Sequence, residues 1–213
     1  MNKITLYYAP LTCARVTLVA LEQTGADYAA QVVNIFDPEQ KDAYRSINAT
    51  GRVPTLQIGD AFLTENAAIL YHLHQHFPDA GLLPSGSGEL GDSSALQDLV
   101  WCSSTLHPTT RMIAAPFRFS AGDTTGIVEM GKAMYEPVLT TLSDRFTGQP
   151  FWYGEAWSII DMYLFWNYST AESAGLDLSG YPAVKAHAER VLAHPSVQRM
   201  LAEEAAGMKS LGW

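Results

Sequence analysis

The chain has 213 residues, of which 47% are hydrophobic and 16% are charged, as is usual for one large or two small globular domains. Its formal net charge of -9 repels phosphate backbones and anionic lipid surfaces, so we expect neither nucleic acid nor a membrane as a partner. The composition shows no bias towards disorder, collagen or coiled coil.

The two cysteines, Cys13 and Cys102, are too far apart for a CxxC pair or a zinc spacing, and two are too few for a disulfide framework. No apolar stretch is long enough to cross a bilayer, and the apolar run near the start is too short for the core of a signal peptide. We therefore expect a cytoplasmic protein with reduced thiols and no metal site.

The first eighty residues alternate between strand and helix patterns. Ile4, Leu6 and Tyr8 share one face of a strand, Gly25 ends a helical run, and Pro78 ends another. The predicted elements are a strand at 3–8, a helix at 12–24, a strand at 28–35, a short helix and loop at 37–48, a hairpin at 55–58 and 61–63, and a helix that carries Ile69, Leu70, Leu73 and Phe77. The order β-α-β-(α)-β-β-α, with a parallel start and an antiparallel hairpin edge, is that of a thioredoxin-like fold.

Strand patterns almost vanish in the rest of the chain. Residues 81–91 are rich in Gly, Ser and Pro and are predicted to be a linker. Helices are predicted at 92–119, 124–146, 159–174, 182–193 and 196–205. We therefore predict an α/β thioredoxin-like domain over 1–80 and an all-α helical bundle domain over 92–213. An aromatic cluster is expected in the bundle core: Phe117, Phe119, Phe165, Trp166 and Tyr168.

The junction of the first strand and the first helix carries the sequence Tyr8-Ala9-Pro10-Leu11-Thr12-Cys13. Backbone N–H groups and the helix dipole favour a thiolate at such a helix N-terminus. The alternative is structural, because Thr12 can simply cap the helix and Cys13 can be a small buried residue. From these residues alone, both interpretations stay open.

Two more motifs of the first domain suit a peptide ligand. Val53-Pro54 opens the third strand, and a cis bond there would turn the Val53 N–H and C=O outwards; an ordinary trans proline is the alternative. Glu65-Asn66 precedes the last helix, where a helix N-terminus suits a carboxylate and the Glu65 side chain suits an ammonium. A plain helix cap is the alternative there.

The conjunction of these three motifs, in this order and spacing, resembles the soluble glutathione transferases over essentially the whole chain. Trp157-Ser158-Ile159-Ile160-Asp161 is similar to the capping box and staple of that family, in which Ser158 would cap and Asp161 would reach back to it. Cys13 followed by Leu106-His107 in the helical domain resembles the bacterial beta class. A segment at 37–48 shorter than is typical, and Val100-Trp101 where a polar residue is usual, depart from that class.

The resemblance implies a site for glutathione as co-substrate. Cys13 would face the glutathione sulfur, with Thr12 as the competing hydroxyl, and Val53 before Pro54 would hold the cysteinyl backbone. Glu65 and Asn66 would hold the γ-glutamyl end, while Lys41 and Arg52 are candidates for the glycyl carboxylate. The second-substrate site would be lined by Pro10, Leu11, His107 and Arg111. Tyr7 or Tyr8 could supply a hydroxyl instead, although the position of Tyr8 beside Ile4 and Leu6 favours the core.

The predicted function is a homodimeric glutathione transferase of bacterial detoxification, acting on a small hydrophobic electrophile. Because a thiol is a weak donor, we expect Cys13 to support only modest conjugation. Since cysteine is suited to disulfide exchange, we also expect monothiol thiol-disulfide or reductase activity. One alternative is a non-catalytic protein that binds glutathione or hydrophobic ligands. Another is a glutathione-dependent isomerase or ether-cleaving enzyme, although Leu11-Thr12-Cys13 replaces the Ser-Ser-Cys signature of the maleylacetoacetate isomerase branch.

Overall fold

The computed structural model describes residues 3–85 and 89–213. The chain divides into two compact units, one formed by the residues up to Leu82 together with His194–Trp213, the other by Leu83–Ala193. Part of the predicted linker at 81–91 lies outside the described residues, namely 86–88. No helix within the described ranges is long and apolar enough to span a bilayer.

The first unit is built on a four-stranded mixed sheet with strand order β2-β1-β3-β4. Its strands are β1 Ile4–Tyr8, β2 Tyr28–Val32, β3 Thr55–Ile58 and β4 Ala61–Thr64. β1 runs parallel to β2 and antiparallel to β3, while β3 and β4 form an antiparallel hairpin. The predicted parallel start, the antiparallel hairpin edge and the thioredoxin-like topology are confirmed.

Three helices accompany these strands: α1 Ala14–Thr24 between β1 and β2, α2 Pro38–Tyr44 between β2 and β3, and α3 Asn66–His76 after β4. α1 buries an apolar face that includes Val16, Leu18 and Val19, and it ends at Gly25, whose φ of 65° lies in the left-handed region that glycine adopts without a steric penalty. α1 therefore starts directly after the carboxyl end of β1, which places residues 9–13 at the helix N-terminus.

The second unit is helical. Its helices are α4 Ser93–Trp101, α5 His107–Ala114, α6 Thr125–Gly148, α7 Ile159–Ser173 and α8 Pro182–Ala193. A π-helical turn, Cys102–Leu106, joins α4 to α5, and the His107 N–H donates to the Cys102 carbonyl. This longer turn precedes Pro108, which has no N–H to give to an α-helical bond.

The single helix predicted over 92–119 is wrong at its end. α5 stops at Ala114, and a short 3-10 segment, Pro116–Arg118, follows. Phe117 lies in this segment and Phe119 directly after it, outside the regular helices, so they are 70% and 51% exposed. The prediction that both belong to the core is therefore wrong. Trp166 and Tyr168 of α7 are buried, as expected.

The capping box predicted for α7 is confirmed. The Ser158 N–H donates to Asp161 Oδ2 at 2.9 Å, and the Ser158 hydroxyl donates to the same oxygen at 3.0 Å. The other oxygen, Asp161 Oδ1, accepts the Trp152 N–H at 2.6 Å and lies 3.1 Å from His187 Nε2. Asp161 is fully buried, so one carboxylate fixes the start of α7, the preceding loop and α8.

The last helix, α9 Pro195–Ser210, groups with the first unit, so the compact units divide the chain differently from the predicted domain 92–213. The reason is a close approach between α9 and β1. A side-chain carbon at Gly207 would clash with the Tyr8 hydroxyl, and that hydroxyl donates to the Glu203 carbonyl at 3.3 Å. Only glycine at this position lets the helix backbone lie against the buried Tyr8 ring.

Candidate active site

The turn between β1 and α1 places Thr12 and Cys13 at the N-terminus of α1. Cys13 is almost fully buried, at 4% exposure, and its Sγ lies 3.7 Å from the Val53 carbonyl oxygen, within the range of a weak S–H hydrogen bond. The Thr12 hydroxyl donates to the Ala9 carbonyl at 2.7 Å and accepts the Ala14 N–H at 3.3 Å. Both side chains are thus oriented by the turn, and Thr12 also caps the helix.

The Val53–Pro54 peptide bond is cis, the first of the two alternatives that the sequence left open, and Pro54 precedes β3. The loop before Pro54 is fixed by two hydrogen bonds, because the Tyr44 hydroxyl and the Asn48 amide both donate to the Arg52 carbonyl, at 3.2 and 2.7 Å. Within residues 3–85 and 89–213 the structure gives no acceptor for the Val53 N–H. This N–H is therefore available to a ligand backbone.

Glu65 and Asn66 play different parts at the start of α3. Glu65 is exposed, and its φ of 70° lies in the left-handed region, a strained conformation that is concentrated at ligand sites. Its side chain does not cap α3. Asn66 is buried; its amide donates to the Cys13 carbonyl at 2.8 Å, and its oxygen accepts from the Thr17 hydroxyl at 2.6 Å. The Asn66 side chain is therefore occupied within the protein, and its backbone N–H is what remains for a ligand.

These bonds bring the three predicted motifs together around one residue. The Cys13 thiol reaches the Val53 carbonyl, and the Cys13 carbonyl receives the Asn66 amide. The N-termini of α1 and α3 and the cis-proline loop thus surround one small region of the first unit. Such an arrangement offers backbone donors and two helix N-termini to a small anionic peptide.

The two predicted cations lie at neighbouring positions. Gly51 has a φ of 60°, and a side-chain carbon placed there would lie 3.3 Å from Lys41 Cε. Lys41 therefore passes over the loop that continues into the exposed Arg52. Neither cation has a carboxylate within 4.0 Å among the described residues. Both remain candidates for a ligand carboxylate.

Neither tyrosine of β1 directs its hydroxyl towards Cys13. The Tyr7 hydroxyl donates to Gln57 Oε1 at 2.9 Å, and the buried Tyr8 hydroxyl donates to Glu203. Burial, together with the nearby Glu203 and Glu204 carboxylates, raises the pKa of Tyr8 to about 12. The expectation that Tyr8 serves the core is confirmed.

His107 and Arg111 lie in the second unit, one turn apart at the start of α5. Arg111 Nε donates to His107 Nε2 at 2.8 Å, and His107 Nδ1 lies 3.4 Å from the Tyr163 hydroxyl. Because arginine can only donate, Nε2 must be an acceptor and the imidazole is neutral in this arrangement. The ring also packs edge-on against Trp166, with 4.5 Å between centroids. His107 thus orients Arg111, and proton transfer at Nε2 would break their bond.

One element of the site was missed by the sequence analysis. Glu204 of α9 accepts the Leu11 N–H at 2.7 Å and pairs with Arg15 Nε, whose distances to the two carboxylate oxygens are 2.7 and 3.0 Å. The Glu204 side chain is 4% exposed and that of Arg15 is 22% exposed. The only hint in the sequence was Arg15 itself, a cation in the apolar first turns of α1. Among the described residues, no group of three or more His, Cys, Asp or Glu side chains could hold a metal ion.

The sheet order, the cis-proline loop and the helix N-terminus beside a cysteine define a thioredoxin-like domain, followed in sequence by a helical unit. Residues 12–76 match the family described as Glutathione S-transferase, N-terminal domain. A glutathione S-transferase of Xanthomonas campestris is 28% identical over 93% of this chain and 98% of that protein. A maleylacetoacetate isomerase of Pseudomonas aeruginosa is 25% identical, covering 92% of this chain and 94% of the relative.

Solved structures agree with these relatives. A beta-class glutathione S-transferase of Sphingomonas chungbukensis superposes with a TM-score of 0.82 at 28% identity, covering 94% of this chain and 98% of that one. A sphingomonad glutathione S-transferase in complex with glutathione has a TM-score of 0.80, also at 28% identity and with the same coverage. Over almost its whole length the chain is thus similar to glutathione transferases, and among them to those of the bacterial beta class.

Proposed function

We propose that this glutathione transferase activates the thiol of bound glutathione at the N-terminus of α1, for attack on a small hydrophobic electrophile. The observation that carries the proposal is the convergence of Val53, Asn66 and the α1 N-terminus on Cys13. Lowering a thiol pKa by two units stabilises the thiolate by about 2.7 kcal/mol, which a helix N-terminus and one or two hydrogen bonds can supply.

Each part of the tripeptide has a suitable partner in the first unit. The Val53 N–H would bind the cysteinyl backbone, and the strained Glu65 would bind the α-ammonium. The N–H groups that open α3, including that of Asn66, would bind the γ-glutamyl carboxylate. Lys41 or Arg52 would pair with the glycyl carboxylate. Pro54 fixes the loop that presents Val53.

Cys13 adds a second activity at the same place. Its thiolate would attack the glutathione sulfur of a mixed disulfide, forming a Cys13–glutathione disulfide and releasing the other thiol. A second glutathione thiolate would then attack that bond, regenerate the Cys13 thiolate and leave as glutathione disulfide. We therefore propose modest conjugation alongside monothiol reductase activity.

Substitution separates the two candidate thiol partners. Cys13→Ala should abolish reduction of a glutathione mixed disulfide, while Thr12→Ala should retain it. Conjugation of a chromogenic electrophile should fall a few-fold in at least one of the two variants. Unchanged conjugation in both, with thermal stability preserved, would contradict a role for this turn in activating glutathione.

Glu65→Gln tests the ammonium site. The variant loses a charge-assisted bond to the ligand, so its Kd for glutathione should rise roughly 10-fold or more, at about 1.4 kcal/mol for each factor of ten. Titration calorimetry measures this directly. Asp60→Asn removes the same charge from the exposed turn of the adjacent hairpin and should leave the Kd unchanged. Equal affinities for Glu65→Gln and Asp60→Asn would exclude Glu65 from the site.

Arg111 favours a second candidate function, glutathione-dependent isomerisation of an anionic maleyl compound. Its guanidinium is oriented by His107, and within the described ranges no carboxylate lies within 4.0 Å of it. The similarity to a maleylacetoacetate isomerase points the same way. Arg111→Gln should raise the KM for a maleyl substrate about 10-fold, the usual cost of one lost charged hydrogen bond, without changing the KM for a neutral electrophile. The exposed Arg118→Gln is the control.

Several wider properties belong to the same proposal. The first predicted domain, 1–80, would hold glutathione. His107 and Arg111 of the predicted domain 92–213 would contribute to binding the second substrate. We propose a cytoplasmic homodimer that serves detoxification, as is usual in the family. Light scattering at micromolar concentration tests the dimer. Retention on immobilised glutathione without turnover of any electrophile or disulfide would favour a binding protein instead.

A further inference from the structure

We propose that Glu204, near the end of the chain, is a positioning residue for the turn that carries Thr12 and Cys13. The inference rests on the proposed function, because it concerns activation of glutathione at the same turn. Glu204 lies 191 positions after Cys13 in the printed sequence and enters the first unit through α9.

One buried carboxylate holds the turn on both sides. Glu204 Oε1 accepts the Leu11 N–H at 2.7 Å, just before Thr12 and Cys13. The same carboxylate pairs through both oxygens with the Arg15 guanidinium, two residues after Cys13. Residues 11–15 are thus tied at both ends to a single side chain of α9.

Among residues 11–15, Leu11 depends most on its hydrogen bond to Glu204. Its φ is 62°, in the left-handed region that residues other than glycine rarely adopt. Its side chain is 53% exposed, so packing does little to fix the backbone. The hydrogen bond from its N–H to a charged acceptor is strong, and it holds the conformation that lets the chain turn into α1.

A second ion pair between α1 and α9 supplies a matched control. Arg199 Nε lies 2.9 Å from Glu22 Oε2, and Arg199 also donates to the Glu22 carbonyl at 2.8 Å. This pair joins the same two helices at the far end of α1, away from the turn. Arg199→Ala therefore weakens the packing of α9 on α1 without removing a contact to Leu11 or Arg15.

The experiment compares wild type with Glu204→Ala, Glu204→Gln and Arg199→Ala at a temperature where all are folded by circular dichroism. The measurements are kcat and KM for glutathione, the pH profile of kcat/KM, and hydrogen–deuterium exchange of a peptide covering residues 9–16. Glu204→Ala should lower kcat about 10- to 100-fold, as expected when a reacting group is misplaced by a fraction of an ångström. Exchange of residues 9–16 should speed up, and the apparent pKa of the bound glutathione thiol should rise.

The conservative variant distinguishes positioning from a general structural role. Glu204→Gln keeps an oxygen that can accept the Leu11 N–H, so it should recover most of kcat and restore slow exchange of residues 9–16. Arg199→Ala should leave kcat, the pH profile and that exchange unchanged.

Equal kcat in Glu204→Ala and Arg199→Ala, while wild type is active, would overturn this inference and leave the proposed function standing. A wild type that binds glutathione but neither conjugates an electrophile nor reduces a mixed disulfide would overturn both.

Discussion

Asp161 should contribute strongly to the stability of the helical unit, while taking no part in the catalytic chemistry. Its carboxylate receives hydrogen bonds from the backbone N–H groups of Ser158 and Trp152 and from the Ser158 hydroxyl, and it lies against His187. Asp161→Ala removes all four contacts at once from a fully buried position.

The expected loss follows from those contacts. A lost cap costs about 1 kcal/mol. The Ser158 hydroxyl can rotate and the His187 tautomer can change, but the two backbone N–H groups stay buried, at about 1–3 kcal/mol each. We therefore expect a loss of roughly 3–7 kcal/mol from a total of about 5–15. Removing one partner of a buried ion pair costs about 3–5 kcal/mol, which lies within this range.

Urea denaturation followed by tryptophan fluorescence measures this loss, and specific activity per folded molecule should equal that of wild type. Asp177→Ala is the control, because the exposed Asp177 caps a single N–H, that of Ser179, at 2.8 Å in the same unit. It should cost at most about 1 kcal/mol. If Asp161→Ala loses no more stability than Asp177→Ala, the conclusion that this carboxylate fixes the start of α7 is refuted.

Two further predictions concern the stability of the second unit. Gly131→Ala should destabilise the protein by about 1–3 kcal/mol, because its new carbon would lie 2.9 Å from Met112 Cβ. In the control Gly126→Ala, in the same helix, the new carbon meets nothing within 4 Å, so that variant should gain up to about 1 kcal/mol of stability. Equal urea midpoints for the two variants would contradict this prediction. Burial lowers the pKa of His187 more than Asp161 raises it, so the folded state binds that proton less tightly than the unfolded state. Stability should therefore be full above pH ~6.5 and fall at lower pH, by at most about 1.4 kcal/mol per unit, and His187→Gln should flatten that slope.

The sequence was sufficient where the determining interactions are local. Alternation in β1, the apolar stripe of α1 and the glycine at its end predicted those elements, because side-chain period and backbone freedom act over a few residues. The same holds for the capping box of Ser158 and Asp161. Phe117 was placed in the core wrongly, since composition does not reveal that α5 ends at Ala114 and leaves the following segment exposed.

The sequence was insufficient where the partner lies far along the chain. Nothing in the pattern around Glu204 indicates that its carboxylate contacts Leu11 and Arg15, because neither periodicity nor spacing encodes contacts between residues 193 and 189 positions apart. The close approach of Gly207 to Tyr8, which draws α9 to the first unit, is equally invisible. Asn66 shows the same limit at the site itself. Its position predicted a ligand contact, yet its side chain bonds to Thr17 and Cys13.

These long-range contacts bear on how the thiol is activated. The two side-chain donors that the sequence favours already donate to backbone carbonyls, Thr12 to Ala9 and Cys13 to Val53. A donor that must first break such a bond contributes less to a new one. The backbone N–H groups and dipole of the α1 N-terminus need no such exchange. Removing either side chain alone should therefore cost less conjugating activity than displacing the whole turn, so Glu204→Ala should slow conjugation more than either Thr12→Ala or Cys13→Ala.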